Sequence, residues 1–370
     1  MKILVTGGAG FIGSHTVDTL IEKGYSVVIL DSLEKPVHLK GKPAYLNPKA
    51  EFIEGDVRNY DDMLKALQGV EVVYHFAAYQ DYLTEFSKFF YVNSVGTALI
   101  YEIIVGEKLP VKKVIVASSQ AVYGEGKYHC EKDGIVYPDI RTEERLKSGL
   151  WEVVCPICGG KVKWQLTDES VVNPQNQYAV SKYTQELISL SLGKRYHIPT
   201  VCLRYSIVQG PRQSFYNAYS GACRIFSLNL YFNRQPTIYE DGEQLRDYIN
   251  IDDVVNANLT VLENSEADYN VYNVGGGKAY TVKEFAAIVA KRFGKEIKPK
   301  LPGEYRFGDT RHIVSDIGSL KRLGWEPKVP IEKSVDDYIS YLREQTDIED
   351  ILEYAESKMK SLNVIRKSER

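Results

Sequence analysis

Along the first half of the chain, short apolar runs rich in Val and Ile alternate with stretches whose apolar positions recur every three or four residues. The runs Lys2–Thr6, Ser26–Asp31, Glu51–Glu54, Val70–Phe76, Lys113–Ala117 and Thr200–Arg204 carry apolar side chains on both faces, which predicts strands covered by helices on each side. Between them, Phe11–Lys23, Asp61–Leu67, Asn93–Glu107 and Tyr178–Tyr196 have helical spacing. The alternation predicts an α/β fold with a doubly wound parallel sheet, and places any ligand at the carboxyl ends of the strands. The second half is less regular and more aromatic, marked by Phe215–Phe232, Tyr239–Asn250, Thr281–Phe293 and Leu301–Asp316. It reads as a smaller α/β lobe rather than a second sheet domain. The expected division is 1–205 for the first domain, with an insertion at about 125–172, and 206–345 for the smaller lobe, part of 251–275 returning to the first domain. Residues 346–370 form a helical extension, with Asp347–Leu362 expected as an appended surface helix.

Composition narrows the class. With 370 residues, 44% of them hydrophobic and 26% charged, the chain can bury a large core, which excludes disordered and fibrous classes. Its 46 basic and 49 acidic side chains give a net charge of -3 with no sustained basic run, so neither a nucleic acid nor a membrane surface is an expected partner. The apolar run after Met1 is too short for a signal segment and leads straight into glycines, so a cytoplasmic protein without a transmembrane segment is expected.

The first strand is followed by Thr6-Gly-Gly-Ala-Gly-Phe-Ile-Gly13, which opens a helix. Small residues at Gly7, Gly10 and Gly13 let the backbone approach a pyrophosphate, and the unpaired N–H groups of Phe11 and Ile12 add the favourable end of the helix dipole. Asp31 and Ser32, after the second strand, are placed to bind an adenosine ribose. A carboxylate there repels a 2′-phosphate, so NAD is expected rather than NADP. Asp56, after the third strand, is a candidate for the adenine amino group.

Tyr178-Ala-Val-Ser-Lys182 puts a phenol and an ammonium one turn apart on a helix face, with Ser119 at the cofactor-facing end of a strand. An ordinary phenol, with a pKa of about 10, is a poor base at neutral pH. The neighbouring ammonium and a positively charged nicotinamide are expected to lower it. Exposed Tyr and Lys on one helix face are the competing reading.

A separate stretch carries Cys130-x-x-Asp133 and Cys155-Pro-Ile-Cys158-Gly-Gly. The Cys-x-x-Cys turn resembles a zinc knuckle, with Cys130 as third ligand and Asp133 or His129 as fourth. A structural zinc is the metal reading, and inert buried thiols are the alternative. Cys202 and Cys223 read as core residues.

From Thr6–Gly13 through Asp56-Val57, Phe76-Ala-Ala78, Asn93-Ser-Val-Gly-Thr97, Ser118-Ser119, Tyr123-Gly124 and Tyr178–Lys182 to Arg204-Tyr205, Gly242–Tyr248 and Arg306-Phe-Gly-Asp309, the chain resembles the extended short-chain dehydrogenase/reductase superfamily in its nucleotide-sugar epimerase/dehydratase branch. The likeness runs from Met1 to about Leu342. It implies a two-lobed Rossmann fold, a homodimer, NAD held by the first lobe and a UDP- or dTDP-sugar held by the second. It further implies cofactor contacts at Val57, Phe76, Ala77, Ala78, Asn93, Ser118, Tyr178, Lys182 and Tyr205, catalysis by Ser119, Tyr178 and Lys182, and substrate contacts at Gln213, Asn217, Arg246, Arg306 and Asp309. Dehydratases of this branch place an acid pair after the serine; Gln120-Ala121 stands there, which implies 4-epimerisation through a transient 4-keto sugar. A net nucleotide-sugar oxidoreductase and a non-catalytic dinucleotide sensor are the alternatives. Ser206-Ile207 departs from the Phe-Asn common in epimerases, and the loop Gly210–Gly221 resembles the subgroup that includes dTDP-L-rhamnose 4-epimerases more than the UDP-glucose 4-epimerases.

Overall fold

Seven strands form one parallel sheet: β1 (Lys2–Thr6), β2 (Ser26–Asp31), β3 (Glu51–Glu54), β4 (Val72–His75), β5 (Lys113–Ser119), β6 (Thr200–Tyr205) and β7 (Asn270–Val274). Their lateral order is β7-β6-β5-β4-β1-β2-β3, and every neighbouring pair is parallel. The order reverses between β1 and β4, which opens a crevice at the carboxyl ends of those strands. The computed structural model describes residues 1–81, 83–216, 221–296 and 298–369.

The β-branched runs bury both faces, as a parallel sheet requires. One face packs on the helices Phe11–Glu22 and Ile251–Glu263 around Ile3, Val5, Val17, Leu20 and Val254. The other packs on Tyr60–Leu67, Phe86–Gly106 and Gln177–Tyr196 around Leu4, Met63, Ile100 and Ile104. Phe86–Gly106 is apolar and long enough to cross a membrane by composition, yet 56% of its apolar window lies inside the fold. It widens into π-helical turns over Phe90–Val95, around Asn93.

The smaller lobe has its own small sheet, in which Leu245–Asn250 lies parallel to Ile207–Gln209 and His312–Ile313 and antiparallel to Ala279–Thr281. The helices Ala222–Tyr231, Val282–Phe293 and Ile331–Glu344 enclose a core of Phe226, Tyr248, Phe285, Val335 and Tyr338 beside it. The lobe is thus the smaller α/β unit expected, though its strands, two to six residues long, left no clear periodicity in the sequence. One expectation needs correction. The extension is not only a surface helix: after Leu352–Ser361 the chain returns as Ile365–Lys367 and pairs antiparallel with Glu304–Arg306.

Candidate active site

The cleft between the lobes is built on the turn after β1. Gly7 adopts φ +68, and a Cβ on Gly13 would meet the Gly7 carbonyl oxygen at 2.3 Å, so the loop closes only with glycine at that position. Gly10 precedes the Phe11–Glu22 helix without a side-chain cap, which leaves the first-turn N–H groups of Phe11 and Ile12 facing a ligand. Gly7, Gly10, Phe11, Ile12 and Gly13 all line the cleft with Phe76, Ala78 and Tyr205. This is a cradle for a diphosphate, so the residues present fit a dinucleotide. Ala77 packs over Gly7, its N–H donating to Thr6 Oγ1 (3.3 Å).

At the end of β2 the buried Asp31 accepts N–H groups from Ala9 (3.0 Å) and Leu33 (2.9 Å), one on each oxygen, and His38 lies 3.8 Å away. Ser32 beside it is exposed, and Val57 is buried behind Gly96. Asp56, expected at the adenine, has its carboxylate engaged by the backbone N–H and guanidinium of Arg58, which contribute to holding it below the usual carboxylate range against the opposing effect of burial. Asn93 does not reach the cleft. Its side chain accepts from Tyr79 N (2.8 Å) and donates to Tyr79 O (3.1 Å) and Ser181 Oγ (2.9 Å), so it is a fully buried strut between the loop after β4 and the helix of Tyr178. Ser118 is likewise committed, donating to Glu186, which forms a bidentate pair with the buried Arg204 (2.8 Å each). The Tyr205 hydroxyl donates to Asn258 (2.7 Å), leaving its ring to face the cleft.

Tyr178 and Lys182 lie in the first turns of the Gln177–Tyr196 helix, which Asn176 caps by accepting from Ala179 N (2.9 Å). Burial pushes the Tyr178 phenol up to about 12, and its hydrogen bond with Ser119 pulls the other way. The expected lowering by Lys182 is not found. The Lys182 head group instead donates to Ala117 O (2.5 Å) and Gln185 Oε1 (2.7 Å). Its own burial brings it down to about 7, opposed by the Glu186 charge.

Sequence reasoning missed what lies behind that lysine. Gln185 passes from Lys182 to Thr97 Oγ1 (2.9 Å), Thr97 meets His75 Nε2 (3.0 Å), and His75 Nδ1 meets Thr6 Oγ1 (2.7 Å). Because Thr97 donates its only proton to Asn93 O (2.5 Å), it accepts from both Gln185 and His75, which places the imidazole proton on Nε2. Burial holds His75 down to about 3, with the Lys182 charge a smaller cause, so it stays neutral. All are polar and fully buried; Thr6 and His75 interrupt or end apolar strands, a signal that could have flagged them, whereas Gln185, between Thr184 and Glu186, carries none.

At the far end of the cleft, Arg246 donates to the carbonyls of Leu245 (2.8 Å), Thr310 (2.9 Å) and Arg311 (3.0 Å) and borders the cavity with Asp309. Arg306 pairs with Asp309 (Nε to Oδ2 2.7 Å) and lies over the Tyr239 ring at 5.2 Å. Asp247 is fully buried and accepts from Ser206 Oγ, Gly276 N and Ser315 N. Gln213 borders the cleft beside Gly221, while Asn217 lies outside the described residues. Gln120, where dehydratases would carry an acid, sits in the cleft wall with Gln175 and Arg224, two further lining residues the sequence did not single out.

The insertion folds as three short antiparallel strands, Tyr128–Cys130, Gly134–Val136 and Val162–Trp164. The ligand atoms of Cys130, Asp133, Cys155 and Cys158 lie within 4.8 Å of one another. His129 is excluded from this group, since it alternates to the exposed face of its strand between the buried Tyr128 and Cys130.

The model of the NAD dependent epimerase/dehydratase family matches residues 3–142 and 159–275. The chain is 32% identical to a dTDP-L-rhamnose 4-epimerase of Burkholderia thailandensis, over 94% of this chain and 96% of the relative. It is also 32% identical to a putative UDP-glucose 4-epimerase of Methanocaldococcus jannaschii, over 92% and 98%. Among solved structures, UDP-glucose 4-epimerase of Thermotoga maritima with UDP-glucose superposes with a TM-score of 0.77 at 32% identity, covering 93% of this chain and 99% of that one. UDP-glucuronic acid 4-epimerase of Bacillus cereus, with UDP-glucuronic acid and NAD, gives 0.76 at 26% identity, covering 93% and 99%. Matched over most of its length and carrying the diphosphate cradle and the Ser–Tyr–Lys group, the chain belongs to the NAD-dependent epimerase/dehydratase family.

Proposed function

We propose that this protein inverts C4 of a UDP- or dTDP-hexose by transient oxidation to a 4-keto sugar and reduction on the opposite face. The observation that carries this reading is the hydrogen-bonded Ser119–Tyr178 pair, which lines one cleft with the glycine cradle and with Arg246 and Asp309. The 4-epimerase relatives support it, and so does Gln120 in place of an acid, since expulsion of a C6 hydroxyl needs a proton donor at that position.

NAD, when bound, supplies the hydride acceptor and donor and a positive ring charge. Gly7, Gly10 and Gly13 with the Phe11 and Ile12 N–H groups hold the diphosphate, and Asp31 and Ser32 hold the ribose. Tyr178 takes the proton from the sugar O4 and returns it, and Ser119 shares that oxygen. Lys182 stabilises the phenolate, and Asn93 and Gln185 position the helix and the lysine. Arg246 and Arg306 take the sugar's diphosphate, for which Arg306 must exchange Asp309 for phosphate. Ser206 is committed to Asp247, and the half-buried Ile207 lines the cleft where asparagine is common in epimerases. The loop that follows, which resembles the subgroup containing dTDP-L-rhamnose 4-epimerases, favours a deoxysugar.

A homodimer belongs to the same proposal. Exposed Tyr91, Val95, Val180 and Leu187 stand on two helices packed side by side, an apolar face suited to a second copy. So do a cytoplasmic location and a structural zinc in the insertion.

The test is to denature purified protein and identify the released dinucleotide. Fresh enzyme is then incubated with UDP-glucose, UDP-galactose, UDP-N-acetylglucosamine and dTDP-L-rhamnose without added cofactor, followed by NMR. Inversion at C4 is expected. Product that forms only with stoichiometric added cofactor would replace the epimerase reading with a net oxidoreductase.

A further inference from the structure

The insertion has almost no core. Its buried apolar cluster is Tyr128, Val136, Val153 and the thiol-bearing Cys130 and Cys155, which is too little to hold a segment of this length by apolar burial alone. What it has instead is a pair of matching turns. Cys130-Glu-Lys-Asp133-Gly134 closes the hairpin between the first two strands, and Cys155-Pro-Ile-Cys158-Gly159 closes a second turn, bridged at Val154 and Lys161. Each presents a ligand pair at i and i+3, followed by a glycine in the left-handed region, with φ +74 at Gly134 and φ +70 at Gly159. The second turn also aims the Ile157 N–H at Cys155 Sγ (3.4 Å), a donor suited to a thiolate.

The distances fit one tetrahedral ion. Zn–S bonds of about 2.3 Å and a Zn–O bond of about 2.1 Å place S···S at about 3.8 Å and S···O at about 3.6 Å. Here Cys130 Sγ lies 3.6 Å from Cys158 Sγ, and Asp133 Oδ2 lies 3.4 Å from Cys130 Sγ and 3.1 Å from Cys155 Sγ. Three thiolates and a carboxylate form a closed donor set of the kind that selects zinc, with no fourth position left for chemistry.

The turn also leads directly into the substrate end of the cleft. Three residues before Cys155, Glu152 accepts from Arg311 Nε (3.0 Å) and meets His312 Nε2 (3.1 Å), and the carbonyl of Trp151 accepts from Arg141 (2.9 Å). Arg141, from the same insertion, is buried in a bidentate pair with Glu240 (2.9 Å each) and donates to Asp309 O (2.7 Å). The next carbonyls, Thr310 and Arg311, are the ones that orient Arg246. We propose that Cys130, Asp133, Cys155 and Cys158 bind one structural Zn²⁺, and that this clasp, through Trp151, Glu152 and Arg141, fixes the 309–311 strip and hence the arginine that receives the substrate's diphosphate. The second half rests on the nucleotide-sugar reading; the first does not.

The experiment starts with elemental analysis of protein purified without chelators, in which equimolar zinc is expected. Less than about a tenth of an equivalent, or iron in its place, overturns the site. Cys158→Ser is expected to lose the metal, whereas Asp133→Cys, which completes a four-thiolate set, is expected to keep it and thereby separates ligation from a folding defect. Binding of UDP and of dTDP is then measured by calorimetry beside the content of bound dinucleotide. Cys158→Ser is expected to weaken nucleoside-diphosphate binding about tenfold with dinucleotide content unchanged, and Asp133→Cys to match the parent. Unchanged nucleoside-diphosphate affinity in the zinc-free variant overturns the bracing role while leaving the metal. Zinc-loaded parent protein that binds neither UDP nor dTDP removes the substrate reading and the bracing role with it, again leaving the metal.

Discussion

Replacing Gln185 by leucine removes one of the two acceptors of the buried Lys182 head group, leaving only Ala117 O. A hydrogen bond to a charged group is worth about 1.5–3 kcal/mol, and one pKa unit corresponds to about 1.4 kcal/mol, so the lysine should fall by roughly 1–2 units. It starts at about 7 because burial disfavours its charge. The ammonium fraction at neutral pH would therefore drop from about one half to roughly 1–10%. If the charged lysine is what stabilises the Tyr178 phenolate, kcat/KM at neutral pH falls by about 5–50-fold, and the alkaline limb of its pH profile moves to acid by 1–2 units. Gln185→Glu is the control of sign: a carboxylate beside the ammonium raises the lysine and moves the limb the other way. The assay is sugar inversion followed by NMR across the pH range. A Gln185→Leu profile that superimposes on the parent refutes the reasoning. A loss equal at every pH refutes it too, since that would mean packing rather than charge.

Lys182→Met should abolish inversion yet stabilise the protein. The folded lysine near 7 lies below its ordinary 10.5, so the cost of burying the charge is fully present at low pH and disappears as pH rises between those values. The parent should gain up to about 5 kcal/mol over that window by urea unfolding, and the methionine variant should not; parallel curves would sink the argument. Glu186→Gln leaves the Arg204 charge, 2% exposed, without its counter-ion and should cost about 3–5 kcal/mol, whereas a loss under about 1 kcal/mol would mean that the carbonyls of Glu169 and Val171 suffice. Deleting residues 351–370 removes the strand Ile365–Lys367 from Glu304–Arg306 and should raise KM for the nucleotide sugar severalfold with bound NAD unchanged, whereas an unchanged KM would detach the extension from the site.

Local signals and spatial ones were not equally legible. The strand, glycine loop, helix and Asp31 could be read from order alone, because each forms within one crossover and the loop tolerates only glycine at Gly13. The two cysteine turns were legible for the same reason: Cys130 and Asp133, like Cys155 and Cys158, lie three apart, and only that Asp133 rather than His129 joins the cluster needed the strand's alternation. Asn93, Gln185 and Glu186 were not legible as supports. Their partners are Ser181 and Tyr79, Lys182 and Thr97, Ser118 and Arg204, and most of those contacts form only when the Gln177–Tyr196 helix lies against β5 and the π-helical turns at Asn93. Periodicity predicts that such positions are buried but not what a buried amide touches. The same limit applies at Tyr178. Spacing on a helix put the phenol and ammonium on one face, and that part holds. What spacing could not show is that full burial raises the phenol, opposed by the Ser119 hydrogen bond, while the lysine head group is spent on Ala117 O and Gln185. The resting pair is thus closer to phenol with a half-neutral amine than to phenolate with ammonium. The Lys182 ammonium and the positive charge of a bound cofactor would therefore have to act together, which links proton removal from the sugar to occupancy of the dinucleotide cleft.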